Sequence, residues 1–98
     1  MPLFVMIGHD RPDSAALRKQ HHETHVAHVK ALNNQGRITL AGPVKDDGND
    51  KSIGAVIVFE ASDLAEARRI VNDDPYVRAG VFETLVIQPF RKAFPETT

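Results

Sequence analysis

Short apolar stretches alternate along the chain with segments that have the spacing of helices. The run Leu3–Gly8 is rich in strand-forming residues and is followed by a cluster of turn formers, which predicts a first strand and its exit loop. No Gly or Pro interrupts the chain from Asp13 or Ser14 to about Asn34, and Gly36 follows. Because Asp and Ser are good N-caps and Gly commonly ends helices, this segment predicts a helix of roughly five to six turns.

Three further strands are predicted by short apolar patterns. Residues 37–43 alternate between polar and apolar side chains up to a Gly-Pro pair, which predicts a second strand. Residues 44–51 carry acidic and turn-forming side chains and predict a solvated loop. Residues 52–60 are apolar enough to predict a central strand, and residues 81–90 predict the last one.

A second helix is predicted between the third and fourth strands. It begins at Ser62 or Asp63, and Asp63 with Glu66 resembles a capping box. It ends near residues 72–74, because the following proline forces its predecessor out of the α region. Residues 75–80 then predict a short turn or one extra helical turn.

The predicted order is β-α-β-β-α-β, which is the ferredoxin-like arrangement of an α+β fold. It implies a four-stranded antiparallel sheet with two helices on one face, in a single domain over residues 1–98. The third and fourth predicted strands carry apolar residues at both alternating positions, so the second sheet face is also apolar and needs a cover. A second copy of the chain is the simplest cover, and we therefore predict a homodimer.

Composition narrows the classes of function and partner. The chain has 12 Lys and Arg against 13 Asp and Glu, a formal net charge of -1, so we expect no nucleic acid or membrane partner. There is no Cys, which excludes disulfides and thiolate chemistry. The N-terminal residues do not have the basic and apolar regions of a signal peptide, and no apolar run reaches the roughly 18 to 20 residues that a membrane span needs. We predict a cytoplasmic protein.

Four of the five histidines lie in the first predicted helix: His21, His22, His25 and His28. Helical periodicity predicts an inward apolar stripe formed by Leu17, Val26, Val29 and Leu32. His25 lies at the centre of this stripe, with Arg18 and His22 beside it. A histidine there is either a core residue that bonds a backbone carbonyl or a functional one. Arg18 on the same stripe needs a pocket or an anionic partner, which keeps both interpretations open.

A metal site is a further alternative for these histidines. His21, His25 and His28 have the i, i+4, i+7 spacing that places imidazoles on one helix face. However, no carboxylate or Cys occupies a neighbouring inward position, and Glu23 points away. We predict no metal.

The acidic pair Asp73 and Asp74 ends the second predicted helix. The negative end of the helix dipole disfavours carboxylates there, so they need another reason. One interpretation is a cap that starts the next turn. The other is that one carboxylate accepts a hydrogen bond from an imidazole N–H and orients it.

Several fragments in this order resemble the YciI-like family of YCII-related domains. They are Leu3-Phe4-Val5 with Asp10, Arg18, His25, Gly36-Arg37, Ala41-Gly42-Pro43, Gly54, Asp74-Pro75-Tyr76, Ala79-Gly80-Val81-Phe82 and Pro89-Phe90. The resemblance implies a dimeric α+β barrel with a cleft between helices and sheet. It also implies a His-Asp dyad, at His25 and Asp74 in this chain.

The resemblance further implies an enzyme that needs no cofactor. It would be a lyase, dehydrochlorinase or isomerase that moves a proton on a small cyclic oxygenated metabolite, with Arg18, His22, Gly42 and Tyr76 contacting the substrate. Family members often have Arg where this chain has His22, and Ser where it has Ala55. A ligand-binding or regulatory dimer without turnover is therefore an alternative, and a structural dimer attached to a larger enzyme is another.

Overall fold

The computed structural model describes residues 1–96 and has the predicted order of elements. In chain order these are β1 (Leu3–Asp10), α1 (Ala15–Asn34), β2 (Ile38–Lys45), β3 (Ser52–Glu60), α2 (Leu64–Asn72), α3 (Pro75–Arg78) and β4 (Phe82–Phe90). The ferredoxin-like α+β prediction is confirmed. The predicted turn at residue 75 is the one-turn helix α3.

Two strands are longer than the sequence predicts. The prediction of a loop over residues 44–51 is wrong at its start, because Val44 pairs with Gly54 and Lys45 with Ser52. Pro43 does not end β2, since a missing N–H is tolerated on an edge strand. β1 likewise runs past its predicted end to Asp10, which places a carboxylate at the end of the sheet.

The sheet is antiparallel throughout, with strand order β2-β3-β1-β4. The central strands β1 and β3 approach very closely at Gly54. A Cβ atom there would lie 2.5 Å from the carbonyl oxygen of Gly8, so this position accepts no side chain without a backbone shift. The close pairing leaves the Gly54 carbonyl available to a side chain from α1, as described below.

The core lies between the helices and one face of the sheet. Its sheet side includes Phe4, Met6 and Phe59, each at most 3% exposed, and α2 contributes Ala67 and Val71. α2 begins as predicted: the Asp63 carboxylate accepts the backbone N–H of Glu66 at 2.8 Å. The capping-box expectation is met in modified form, because the Glu66 carboxylate accepts the N–H of Ser62, one residue before the cap.

The alternate positions of the strands face away from the helices. They include Val5 and Ile7 in β1, Val56 in β3 and Val86 in β4, and Val86 is 42% exposed. The described helices all pack on the other face. The homodimer stays a prediction, and this face is where it would form. None of the helices within residues 1–96 is both long and apolar enough to cross a bilayer.

Candidate active site

The two predicted dyad residues, His25 and Asp74, lie in direct contact. Nδ1 of His25 is 2.8 Å from Oδ1 and 3.0 Å from Oδ2 of Asp74, across 49 residues of sequence. A carboxylate can only accept, so Nδ1 of His25 carries the proton and donates it to Asp74. Nε2 of a neutral His25 then has its lone pair available as a base.

Asp74 is held rigidly by the backbone around it. Its side chain is the N-cap of α3 and accepts the backbone N–H of Tyr76 at 2.9 Å. Pro75 occupies the first helical position, where proline costs no hydrogen bond. Asp74 is 1% exposed. The two interpretations of this segment therefore apply together, because the same carboxylate caps a helix and accepts from an imidazole.

The ring of Tyr76 packs flat against His25. The two ring centroids are 3.9 Å apart and the planes differ by 6°. Burial raises the pKa of the Tyr76 phenol, so the hydroxyl is protonated at neutral pH and donates to the backbone carbonyl of Arg18 at 3.3 Å. Nδ1 of His22 lies 3.2 Å from the same hydroxyl and fits as its donor. Tyr76 thus fixes the position of the His25 ring.

Arg18 has the anionic partner that its position on the helix requires. Its guanidinium binds both carboxylate oxygens of Asp10, at 2.6 and 3.0 Å, and donates to the Gly54 carbonyl at 2.9 Å. The hydrogen bond to Asp10 is the main cause that raises the pKa of Arg18. The guanidinium carbon also lies 5.0 Å from the centre of the Tyr76 ring. Nε and Nη2 of Arg18 therefore bind protein partners.

Asp10 and Ser14 are the residues that sequence reasoning missed at this site. Ser14 is the N-cap residue of α1, as predicted, but its side chain makes no cap hydrogen bond, and its hydroxyl donates to Asp10 at 3.1 Å instead. Asp10 was placed in the exit loop of the first strand, whereas it ends β1. Arg18 lies one helical turn after the N-cap Ser14, and an acidic residue at the end of the preceding strand is the signal that could have indicated this cluster.

A cleft of about 1150 Å³ opens between α1 and the β2–β3 edge of the sheet. Five of the six predicted site residues line it: Arg18, His22, His25, Gly42 and Tyr76. Asp74 lies behind His25. The side chain of His25 is 16% exposed, and that of Asp74 is 2% exposed. The imidazole is thus at the cleft wall with its orienting carboxylate sealed from solvent.

The remaining histidines of α1 do not extend this site into a metal centre. Nε2 of His28 donates to the carbonyl of Ile70 at 2.9 Å, which is the ordinary core role of a histidine. Nδ1 of His25 is occupied by Asp74. Over residues 1–96, no three His, Cys, Asp or Glu side chains come together in a way that could hold a metal ion.

The fold is that of a ferredoxin-like protein of the dimeric α+β barrel type, and known structures share it. The chain is similar to a 5-chloro-2-hydroxyhydroquinone dehydrochlorinase from Burkholderia phenoliruptrix, solved with 2,5-dihydroxybenzoquinone. The TM-score is 0.83 at 26% identity, covering 91% of this chain and 93% of that one. A protein of Pseudomonas aeruginosa shares the fold alone, with a TM-score of 0.55 at 14% identity over 93% of each chain.

Sequence comparison identifies the family. The YCII-related domain family matches residues 2–91. Protein YciI of Escherichia coli is 34% identical over 97 residues, covering 94% of this chain and 99% of its own length. An uncharacterized protein of Haemophilus influenzae is 31% identical over 96 residues, covering 93% and 98%. The chain belongs to the YCII-related domain family.

Proposed function

We propose that this protein is a lyase that works without a cofactor, with His25 as its general base and acid. The observation that carries the proposal is the contact between His25 and the buried carboxylate of Asp74, at the wall of an open cleft. A carboxylate on Nδ1 orients the imidazole, keeps the base at Nε2 and stabilises the imidazolium once it forms.

The reaction class is elimination from a hydroxylated ring. Nε2 of His25 accepts a hydroxyl proton, and the imidazolium returns a proton to the ring carbon that bears the leaving group, which becomes tetrahedral. A second hydroxyl proton then passes to Nε2, and the leaving group, such as chloride, departs with its bonding pair to give the quinone. The substrate loses the elements of HX, and the imidazolium returns its proton to solvent or product. A positioned base of this kind contributes about 10² to 10⁴ in rate.

Similarity to the dehydrochlorinase supports this reaction class. The identity is 26% over nearly the whole of both chains, and the compound in that structure is a dihydroxylated quinone ring. We therefore propose a small cyclic oxygenated compound as the substrate of this protein. The chemistry requires two ring hydroxyls, a leaving group, and one side chain that acts first as base and acid and then again as base.

The predicted substrate-contacting residues divide into two groups. His22 is exposed at the cleft, and Gly42 lines the cleft with its backbone alone. We propose that both residues contact the substrate. Arg18 and Tyr76 use their polar groups on protein partners. We propose that they shape the cleft and hold His25 in place.

We also propose that the working form is a cytoplasmic homodimer. The apolar sheet face opposite the helices supports the dimer, because exposed apolar surface of this kind commonly marks an interface. The cleft lies on the helix side of the sheet, so a dimer through the opposite face leaves the cleft accessible.

Chloride release from 5-chloro-2-hydroxyhydroquinone tests the function. We expect His25→Ala to lower the rate by about 10² to 10⁴, and His21→Ala, on the same helix but outside the cleft lining, to change it less than about twofold. Turnover that survives His25→Ala intact would contradict the proposal. A compound that binds and is recovered unchanged from the wild type would favour the non-catalytic binding module.

A further inference from the structure

The cleft is much longer than one ring requires. Its α1 wall runs from Arg18 to Asn33, which is about 22 Å at 1.5 Å per residue. His25 lies near the middle of that wall. The volume of about 1150 Å³ lies just above the roughly 300 to 1000 Å³ typical of sites for drug-sized ligands. A single-ring compound at His25 leaves space on both sides.

The two halves of the cleft differ in chemistry. At one end, Arg18 reaches the Gly54 carbonyl, and Gly54 pairs with Val44. This half is polar and is lined by Arg18, Lys19, His22 and Ser52. The other half lies where α1 ends and β2 begins. It has apolar side chains in Val26, Val29 and Ile38, with Ala41 and Ile57 leading to it, and Lys30, Asn33 and Thr39 also line this end.

The apolar half is open to a ligand. Val26 is 44% exposed although it belongs to the cleft wall. Ala41 is exposed and pairs with Ile57 in the register, on the sheet face that carries the core. Exposed apolar side chains in a concave site beside a dyad are what an apolar ligand group covers. A small molecule fits this half because the surface is continuous with His25.

We infer that the substrate is a hydroxylated aromatic compound larger than one ring, with its second ring in the half lined by Val26, Val29 and Ile38. This inference rests on the proposed function, because it assumes that the reacting ring lies at His25. Covering the apolar half removes apolar surface from water, so the larger compound binds more tightly than its single-ring counterpart.

Binding of catechol and of 2,3-dihydroxynaphthalene, measured by isothermal titration calorimetry, tests the inference. The two probes carry the same pair of adjacent hydroxyls and differ by one fused ring. We expect the naphthalene compound to bind the wild type about tenfold more tightly. Val26→Thr, which is nearly isosteric, and Ala41→Phe, which fills the cleft, should each weaken it at least threefold and leave catechol within twofold.

Val86→Thr is the control for the chemical change. It makes the same substitution outside the cleft, on the proposed dimer face, where Val86 is 42% exposed in the single chain against 44% for Val26. It should leave both affinities unchanged. The inference would be overturned if the wild type preferred the naphthalene compound over catechol by less than threefold. It would also be overturned if Val26→Thr did not reduce this preference, or if Val86→Thr reduced it instead. Gel filtration of Val26→Thr adds a further check, because a changed oligomeric state would assign this half of the cleft to a second copy.

The binding measurements and the chloride assay test different claims, so one can give a negative result while the other gives a positive one. Absence of chloride release with an intact preference for the larger probe contradicts the lyase and leaves the ligand class standing. Chloride release without that preference leaves the lyase standing and removes the two-ring substrate.

Discussion

Asp73 and Asp74 are adjacent in sequence and lie in opposite environments. Asp73 is exposed and binds Arg78 at 2.8 Å, with side chains 62% and 68% exposed. Asp74 has a side chain 2% exposed and binds His25 at 2.8 Å. The two distances are equal, but only the contact between His25 and Asp74 is shielded from solvent. An exposed pair is screened and contributes little, whereas a buried carboxylate orients its partner and is costly to leave without one.

The same contrast separates the two arginine–aspartate pairs. The side chains of Arg18 and Asp10 are 14% and 7% exposed, and Arg18 adds a bond to the Gly54 carbonyl. The Arg78–Asp73 pair has the same chemistry at the surface. Burial, rather than pairing, marks the cleft wall as the region where single substitutions matter, and the following variants test this from the largest expected effect to the smallest.

The largest effect is expected from Asp74→Ala. Loss of the carboxylate removes the group that orients His25, so we expect kcat/KM for chloride release to fall about 10² to 10³. Removing the cap and its hydrogen bonds should also lower the unfolding free energy by about 2 kcal/mol. Steady-state kinetics and urea denaturation measure the two effects. Asp73→Ala is the control and should keep its activity within twofold of the wild type. Equal losses of activity in both variants would contradict the distinction between the buried and the exposed carboxylate.

Next is Asp10→Ala, which leaves the guanidinium of Arg18 buried without its carboxylate. We expect a loss of about 3 kcal/mol in unfolding free energy, at the low end for a broken buried pair because Arg18 keeps its bond to Gly54. Urea denaturation measures it. Arg78→Ala breaks the surface pair and should cost less than about 0.5 kcal/mol. If the two variants are equally stable, burial does not govern these pairs.

A smaller effect is expected from His28→Ala. The variant removes the N–H that satisfies the carbonyl of Ile70, so we expect a loss of about 1 kcal/mol in unfolding free energy. Chloride release should change less than about threefold, because His28 does not line the cleft. The contrast with His25→Ala separates a core histidine from a functional one. A fall in activity as large as that of His25→Ala would assign His28 to the site.

The smallest effect concerns acid stability at Glu66. The Ser62 N–H, and then Arg37, hold the pKa of the Glu66 carboxyl below its ordinary value of 4.5. A lowered folded-state pKa stabilises the protein above the unfolded-state pKa, and this stabilisation is lost as the pH falls through the folded-state pKa. Glu66→Gln should therefore lose less stability than the wild type when the pH drops below about 4.5. Denaturation midpoints at several pH values measure the difference, and parallel curves would contradict it.

Much of the fold follows from patterns within short segments. The helix α1 is predicted by the absence of Gly and Pro over its length, and the strands by short apolar runs. The position of His25 on the inner face of α1 follows from helical periodicity alone. Strand ends were less predictable, because they depend on pairing between strands. Asp10 pairs with Phe82, far away in sequence, and Lys45 pairs with Ser52 across the β2–β3 loop.

The pairings within the site depend on tertiary structure. His25 and Asp74 are 49 residues apart, and no local pattern joins them; family resemblance named the pair, and the fold brings the two atoms to 2.8 Å. The position of Arg18 on the apolar stripe indicated that it needs a pocket or an anionic partner, but did not identify Asp10. The stacking of Tyr76 on His25 was not foreseen either, because it depends on how α3 packs against α1.

The sequence by itself determined the order of elements, the apolar second face of the sheet and the inward direction of Arg18 and His25, because these depend on the 3.6-residue and two-residue periods of side chains. The tertiary structure alone decided which of two adjacent aspartates is buried, and that Arg18 binds Asp10. The physical reason is that burial and long-range contacts arise only when separate elements pack, and they set the strength of interactions that look identical in sequence.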